Sequence, residues 1–418
     1  MGMTLAEAII AKHTKDPVEP GAICRVSVDF AFTNDITGPP AIKEFRRMGA
    51  TKVFDPMRCA ILPDHFSPAK DIASAEQIKE CRVFADEQGM LFWDVGRVGV
   101  EHAFLPENGL VLPGEIILGA DSHTCTHGAM GALATGVGST DLAAAWALGE
   151  TWLRVPETMK VSYEGTPSEW ICGKDMILAL IGKIGVEGAR YMALEFHGDA
   201  LAKLDLDDRF TLSNMAVEAG AKVGLINPDE KLLKYARDRA SRHFEPLYAD
   251  KDAVYAKSLS IDVKDMEPQV AMPHLPENVK AVSEVAGTPV DQVFIGSCTN
   301  GRLSDLRAAA RILMGKKVHK KTRLMIIPAS YEVYRAAMKE GLFDIFLDAG
   351  ASISTPSCGP CLGGHLGILA AGERCISTSN RNFVGRMGSP KSEVVLAGPM
   401  VAAASAVAGH ICDPREIV

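Results

Sequence analysis

Two kinds of hydrophobic periodicity alternate along the chain. Apolar residues recur with the spacing of a helix in one set of segments, and they form short strand-like runs in another. Helices are predicted at 5–12, 140–149, 176–183, 303–313, 331–340 and 400–409. Strands are predicted at 22–30, 59–66, 114–123, 291–296 and 323–328. This alternation predicts an α/β protein with open sheets flanked by helices.

Two segments lack either period and are predicted to be irregular. Residues 33–40 are rich in Thr, Asn, Gly and Pro, which favours a turn. Four glycines (Gly128, Gly131, Gly136 and Gly138) punctuate a predicted loop before the helix at 140–149, which we expect Ser139 or Thr140 to cap. The glycine spacing fits neither nucleotide-binding fingerprint, so it predicts close backbone packing.

Polar side chains end two of the predicted strands. They are Asp64 and His65 in the first case and Asp121, Ser122 and His123 in the second. Open α/β sheets bind ligands at the carboxyl ends of their strands. A third histidine, His102, lies in an apolar segment between them. One such histidine is more often a buried structural side chain than a catalyst, but three in this pattern, two with neighbouring acids, favour a catalytic site.

Three cysteines lie in turn-forming sequences of the C-terminal third. Cys298 belongs to Phe-Ile-Gly-Ser-Cys-Thr-Asn-Gly-Arg (294–302), and Cys358 and Cys361 belong to Thr-Pro-Ser-Cys-Gly-Pro-Cys-Leu-Gly-Gly (355–364). Such loops expose thiolates together with main-chain N–H groups. Three thiolates leave one coordination position open on a metal or cluster, whereas a structural zinc site takes four ligands. Spacing alone leaves a redox or zinc half-site open, with His365 as a further zinc ligand.

Composition narrows the function classes. The 418 residues predict two or three domains, and we place their boundaries at 1–157, 158–284 and 285–418. A net charge of -8 argues against binding nucleic acid through phosphate contacts. The ten cysteines lack the regular spacing of a secreted disulfide framework, and neither a leader peptide nor a long apolar run is evident. A cytoplasmic protein with reduced cysteines, and no membrane partner, is expected.

The two cysteine motifs and a third motif, Ser-Thr-Ser-Asn-Arg-Asn-Phe-Val-Gly-Arg (377–386), stand in the order seen in the aconitase superfamily. The chain resembles that superfamily from residue 3 to about residue 414, as a three-domain large subunit. The resemblance implies one 4Fe-4S cluster at the domain junction, held by Cys298, Cys358 and Cys361 with one iron open. It also implies that a swivelling fourth domain is absent here and that a small subunit carries it.

The resemblance also implies roles for side chains around that cluster. Catalytic positions match Asp64, His65, His102, Asp121, Ser122, His123 and Glu218, and substrate-binding positions match Asn34, Asn214, Asn380, Arg381 and Arg386. Asn214 and Glu218 have the i, i+4 spacing of one helical face, and the two arginines suit bidentate binding of carboxylates. His65, polarised by Asp64, is our choice of proton donor to the leaving hydroxyl.

The implied reaction is elimination and readdition of water on a 2-hydroxy diacid. The expected substrate is isopropylmalate in leucine biosynthesis, with homoaconitate or dimethylmalate as alternatives. Two departures from the usual pattern leave the substrate open. Asn34 stands where isopropylmalate isomerases commonly have His and aconitase has Gln, and Glu101 stands where Cys is common.

A hypothesis from another class is a regulator that binds RNA when its cluster is lost, as some superfamily members do. Net acidity and the retained Asp-His, Asn and Arg positions oppose it.

Overall fold

The structure of the protein is a computed structural model that describes residues 2–418. Its strands are β1 (Ile23–Ser27), β2 (Phe30–Asn34), β3 (Cys59–Leu62), β4 (Leu91–Phe92), β5 (Ile116–Gly119), β6 (Leu133–Gly136), β7 (Glu150–Arg154), β8 (Thr158–Glu164), β9 (Ala193–His197), β10 (Val223–Ile226), β11 (Lys257–Asp262), β12 (Gln269–Ala271), β13 (Val279–Ala281), β14 (Gln292–Ile295), β15 (Arg323–Ile326), β16 (Ser352–Ile353), β17 (Arg374–Ser377) and β18 (Glu393–Ala397).

Its α-helices are α1 (Leu5–His13), α2 (Gly38–Arg47), α3 (Ile72–Gln88), α4 (Glu101–Glu107), α5 (Ser139–Leu148), α6 (Gly173–Ile184), α7 (Asp199–Lys203), α8 (Leu206–Asn214), α9 (Glu230–Arg239), α10 (Val282–Val285), α11 (Ser297–Asn300), α12 (Leu303–Leu313), α13 (Tyr331–Lys339), α14 (Leu342–Ala349) and α15 (Pro399–Ala408). Short 3-10 helices span Pro56–Arg58, Ser122–Met130, Met215–Ala219, Gly359–Leu362 and Pro414–Glu416. The predicted α/β class is confirmed, and each predicted helix has a counterpart.

Three local predictions are wrong. The segment 22–30 is not one strand, because β1 ends at Ser27 and β2 begins at Phe30. The segment 33–40 is not a simple turn: β2 continues through Asn34, and α2 begins at Gly38 with proline in its first turn, where a missing N–H costs nothing. The glycine-rich loop contains β6, and α5 begins at Ser139 with Gly138 as its N-cap, so neither Ser139 nor Thr140 caps the helix.

The chain forms two compact units. Unit 1 comprises the residues up to Tyr163, together with Ala189–Leu201 and Ser213–Ile261. Its main sheet has five parallel strands in the order β4-β3-β2-β5-β6. A second sheet has the order β10-β9-β8-β11, and β1 pairs with β7 in an antiparallel ribbon. Parallel order places the carboxyl ends of β2, β3 and β5 at one edge of the main sheet.

Aromatic side chains join the helices that cover the main sheet of unit 1. The rings of Phe45 on α2 and Phe84 on α3 meet edge to face with centroids 5.4 Å apart. Phe84 also stacks on Trp146 of α5 at 5.8 Å. All three side chains are at most 1% exposed, so this cluster fixes three helices against one sheet.

Unit 2 comprises Glu164–Gly188, Ala202–Leu212 and Asp262–Val418. Its sheet has seven strands in the order β13-β12-β18-β17-β14-β15-β16. Strands β18 to β16 are parallel, and β12 runs antiparallel to β13 and β18. The core includes the small-residue helix α15, which is buried along most of its length as its composition predicts. The predicted three-domain division stays a prediction.

Among the described residues, no helix has both the length and the apolar character that crossing a bilayer requires.

Replacing Phe84 with Ala is expected to lower the free energy of unfolding by about 3–5 kcal/mol, because the lost ring leaves a cavity between Phe45 and Trp146. Urea denaturation followed by fluorescence measures the change. Val83 is the matched control on the same helix, since it is 46% exposed and Val83→Ala should shift stability by only about 0.5 kcal/mol. Equal effects of the two variants would contradict the proposed role of the aromatic cluster.

Candidate active site

A buried carboxylate organises the carboxyl edge of the main sheet in unit 1. Asp35 follows β2 and is 0% exposed. Its Oδ1 accepts the main-chain N–H groups of Asp64 and His65, each at 3.0 Å, and its Oδ2 accepts that of Phe66 at 2.8 Å. Burial raises the pKa of Asp35. The turn after β3 is therefore held by three main-chain hydrogen bonds to one side chain.

That turn presents Asp64 and His65 as a hydrogen-bonded pair. Asp64 Oδ1 lies 2.5 Å from His65 Nδ1, and Asp64 Oδ2 accepts the main-chain N–H of Glu101 at 2.8 Å. Burial lowers the pKa of His65, but the carboxylates of Asp64, Asp35 and Asp121 outweigh burial and raise that pKa to about 10. His65 is therefore a protonated imidazole at neutral pH.

Asp121 connects the other two predicted histidines. Its Oδ1 lies 2.8 Å from His102 Nε2 and accepts the main-chain N–H of His123 at 2.7 Å. Its Oδ2 lies 3.9 Å from His65 Nε2. Burial raises the pKa of Asp121, yet hydrogen bonds to His102 and His123 reverse this and hold the pKa well below its usual range. Asp121 is thus an ionised acceptor among three histidines.

His102 differs from His65 in charge. It is 2% exposed, and burial lowers its pKa, so it is neutral at pH 7. A neutral ring that donates Nε2–H to Asp121 leaves Nδ1 as an acceptor, and Nδ1 lies 3.4 Å from His127 Nε2. His127 is fully buried and was not singled out from the sequence, although it lies on the same 3-10 helix as His123.

The two positions that depart from the usual sequence pattern contact each other. Asn34 Nδ2 donates to Glu101 Oε1 at 3.2 Å, and Asn34 Oδ1 accepts the main-chain N–H groups of Ile36 and Thr37 at 3.0 Å each. Glu101 is 1% exposed. Burial, followed by the charges of Asp64 and Asp121, raises its pKa well above the ordinary value, which favours the protonated carboxyl.

The remaining predicted residues of unit 1 lie close by. Glu218 Oε1 is 2.9 Å from His123 Nε2, and Ser122 Oγ is 3.3 Å from His123 Nδ1. Asn214 Nδ2 donates to Thr126 Oγ1 at 2.8 Å. Asn214 ends α8 and Glu218 lies on the following 3-10 helix, so the expectation that both occupy one face of a regular α-helix is wrong.

In unit 2, the loops after β14 and β16 bring the cysteine motifs together. Ser297 Oγ lies 3.7 Å from Cys298 Sγ and 3.8 Å from Cys361 Sγ. Ser297 adopts φ 78°, a left-handed conformation that is rare for a residue with a side chain. Gly359, between the other two cysteines, has φ 55°, and a Cβ there would lie 2.4 Å from Ile327 Cδ1. Each of the three cysteines is 6–7% exposed.

Donor groups surround these sulfur atoms. Asn380 Nδ2 donates to Cys298 Sγ at 3.4 Å and to Thr299 Oγ1 at 3.0 Å. Arg386 Nη2 lies 3.9 Å from Cys361 Sγ, and its buried Nε has no hydrogen-bond partner among the described residues. Arg381 lies half-buried one residue after Asn380. Thiols beside N–H and O–H donors fit a sulfur-ligated cluster, whose sulfides need such donors.

The fold and this site define a class of protein. The model of the Aconitase family (aconitate hydratase) matches residues 7–409, and the chain belongs to that family. A solved structure, aconitase X of Thermococcus kodakaraensis in its holo-form, shares the fold with a TM-score of 0.50 and 15% identity over 85% of this chain and 84% of that chain.

Particular relatives are much more similar over the full length. The 3-isopropylmalate dehydratase large subunit of Syntrophus aciditrophicus is 59% identical over 100% of both chains. The protein of the same name from Moorella thermoacetica is 58% identical, again over 100% of both. Large subunit 1 from Pyrococcus furiosus is 59% identical over 100% of this chain and 99% of its own.

Asp64→Asn is expected to lower the pKa of His65 from about 10, because the amide cannot offset a charged imidazole. The folded-state pKa lies above the ordinary 6.5, so His65 stabilises the fold below pH 6.5 and this contribution is lost as pH rises towards 10. Histidine-labelled NMR spectra report the titration. The His197 resonance, held by Glu195 at 2.8 Å, serves as the internal control, and an unchanged His65 titration would refute the assignment.

Asp35→Asn should destabilise the fold by about 1–3 kcal/mol, because its amide group would face a main-chain donor in a buried place. Thermal unfolding measures this loss. Asp55→Asn is the matched control: Asp55 accepts the N–H of Met57 at an exposed 3-10 helix start, where Asn caps as well as Asp. A Tm equal to that of the wild type for Asp35→Asn would rule out the anchoring role.

Proposed function

We propose that this chain is the large subunit of a 3-isopropylmalate dehydratase, a hydro-lyase that interconverts 2-isopropylmalate and 3-isopropylmalate by dehydration and rehydration. The proposal is supported by full-length relatives of that name at 58% and 59% identity. The structural observation that carries it is the convergence of Cys298 and Cys361 on the hydroxyl of Ser297, at 3.7 and 3.8 Å. Such convergence favours a shared sulfur-bound cofactor over isolated core cysteines.

The cofactor is a 4Fe-4S cluster held by Cys298, Cys358 and Cys361. When bound, it supplies a Lewis-acidic iron without a protein ligand, which polarises a substrate hydroxyl. Asn380 and Arg386 donate hydrogen bonds towards the ligand sulfurs, and they keep the thiolate forms favourable in a buried place.

His65 is the proton donor to the departing hydroxyl. Its pKa near 10 keeps the ring protonated at neutral pH, and Asp64 orients it through Nδ1 at 2.5 Å, which leaves Nε2 for the donated proton. General acid catalysis requires a donor in this protonation state and geometry. Asp64 stabilises the charge before transfer, and Asp121 Oδ2 at 3.9 Å adds to that stabilisation.

His102, His123 and their acids order water and hydroxyl groups around the leaving group. Asp121 is ionised and His102 is neutral, so the pair accepts and donates hydrogen bonds without adding a second positive charge. Glu218 orients His123 from Nε2 at 2.9 Å. Ser122 lies on the Nδ1 side of that ring at 3.3 Å.

Arg381 and Arg386 bind the substrate carboxylates, with Asn380 beside them. The buried Nε of Arg386 has no acceptor among the described residues, and a carboxylate satisfies such a group with a charge-assisted hydrogen bond. Asn34 and Asn214 already use their Nδ2 groups within unit 1, at 3.2 and 2.8 Å. We therefore expect these two residues to contact the substrate through the remaining hydrogen-bonding positions of their amides or after rotation of the side chain.

A small subunit supplies the base that removes the carbon-bound proton and completes the substrate site. The words "large subunit" in the names of the relatives support a small-subunit partner, and the family resemblance implies that the base lies on its swivelling domain. The large subunit alone is therefore expected to be inactive.

The test is anaerobic reconstitution of this chain with iron and sulfide, mixing with its small subunit, and assay with 3-isopropylmalate by absorbance of the unsaturated intermediate. Cys361→Ser should abolish turnover and lower bound iron and sulfide. Cys412→Ser is the matched control, since Cys412 is 2% exposed and hydrogen-bonds the main chain of Asp413 outside the three ligand positions.

Substrate identity is read from parallel assays with homoaconitate and dimethylmalate. Preference for 3-isopropylmalate supports the proposal. A loaded cluster with turnover of another diacid only would reassign the substrate while retaining the hydro-lyase chemistry. Full activity of the large subunit without its partner would contradict the proposal that the small subunit supplies the base.

A further inference from the structure

A fully buried lysine in unit 2 lies behind the loops that carry the cluster motifs. Lys174 is the second residue of α6 and is 0% exposed. Two costs oppose a positive charge there. Burial removes its hydration, and the first turn of a helix presents the positive end of the helix dipole. A structural lysine at this place therefore needs a compensating interaction.

The hydrogen bonds of Lys174 are those of an ammonium ion. Its Nζ donates to the main-chain oxygens of Thr378 at 2.8 Å and Ser379 at 2.6 Å, and to Asn300 Oδ1 at 3.3 Å. Three acceptors match the three N–H bonds of the charged form, whereas a neutral amine has only two. Within residues 2–418, no carboxylate lies within ion-pair distance of this nitrogen.

Neighbouring acids are already engaged elsewhere. Asp305 is linked to Lys174 through the side-chain amide of Asn300. It accepts hydrogen bonds from Asn300 Nδ2 at 2.9 Å and from the main-chain N–H of Arg302 at 2.9 Å. Asp175 accepts the main-chain N–H groups of Cys172 at 2.9 Å and Gln269 at 2.7 Å. Burial raises the pKa of both carboxyl groups, and that of Asp305 rises to about 7. Their charges favour the ammonium form of Lys174 from a distance, without a direct ion pair.

The acceptors of Lys174 belong to the two segments that surround Cys298. Asn300 ends the short helix α11 that carries this cysteine. Thr378 and Ser379 precede Asn380, whose Nδ2 donates to Cys298 Sγ at 3.4 Å. One ammonium ion therefore ties the segment carrying a predicted ligand to the segment carrying a donor to that ligand.

We infer that Lys174 is a positioning residue for the cluster, which holds these two loops together and offsets the negative charge of the thiolate-ligated cluster with a buried cation. This inference rests on the cluster in the proposed function. Three thiolates outweigh the positive charge of the oxidised cluster core, so the assembly is anionic, and the low dielectric of the interior strengthens its attraction to a nearby cation. Reduction adds one electron, so the cation stabilises the reduced cluster more than the oxidised one.

The test compares cluster reduction potentials, measured by redox titration with electron paramagnetic resonance, in the reconstituted full-length chain. Lys174→Gln removes the charge but keeps an N–H donor, and its potential should become more negative. Lys174→Arg keeps the charge and should remain close to the wild type. Lys183→Met is the control, because it removes a lysine at the exposed end of the same helix and should leave the potential unchanged.

The outcomes separate this inference from the proposed function. A wild-type chain that incorporates no iron and sulfide would overturn both. A loaded cluster whose potential is the same in Lys174→Gln as in the wild type, or shifts equally in Lys174→Arg, would overturn the charge role alone. If Lys174→Gln retains no cluster, cluster retention is compared in the Lys174→Arg and Lys174→Met variants. Retention in Lys174→Arg with loss in Lys174→Met supports the inference. Any other pattern rejects it.

Discussion

The geometry of the unit 1 site depends on one carboxylate that accepts three consecutive main-chain N–H groups. Strands β2 and β3 are parallel and in register, with Asn34 opposite Leu62, so the residue after β2 faces the turn after β3. Asp35 occupies that position and binds the turn at 2.8–3.0 Å. A carboxylate offers two acceptor oxygens, whereas the amide of Asn offers one acceptor and one donor. No neutral side chain of similar size therefore accepts all three N–H groups. This interaction therefore sets the position of the Asp64 and His65 pair.

Burial then decides which acids near that pair are charged. Adjacent carboxylates in a low-dielectric site cannot all ionise. Asp121 keeps its charge because His102 and His123 donate to it, while the pKa of Glu101 rises because burial and two nearby carboxylates oppose a further charge. Asn34 fits this arrangement, since its amide donates to the Glu101 carboxyl without adding charge. The two departures from the usual sequence pattern are therefore one physically coupled pair.

The sequence predicts the elements better than their ends, and one missed site residue, Asp35, follows from such an error. The predicted strand at 22–30 stopped before Asn34, so Asp35 fell in a supposed turn and was not seen as a strand-end residue. Lys174 sits in an ordinary helical pattern, and nothing local distinguishes a buried lysine from an exposed one. Its partners are more than 100 residues away. By contrast, each cysteine motif carries its own turn chemistry, so the loops were predictable although their convergence was not.

The two units use the carboxyl ends of parallel strands for opposite electrostatic purposes. In unit 1, the loops after β2, β3 and β5 supply carboxylates, which hold histidines in defined protonation states. In unit 2, the loops after β14 and β17 supply donors to sulfur, and a buried lysine lies behind them without a directly paired carboxylate. Acceptors around imidazoles favour proton transfer, whereas donors and a cation around thiols favour an electron-rich cluster. The sign of the buried charge thus distinguishes what each unit is built to stabilise.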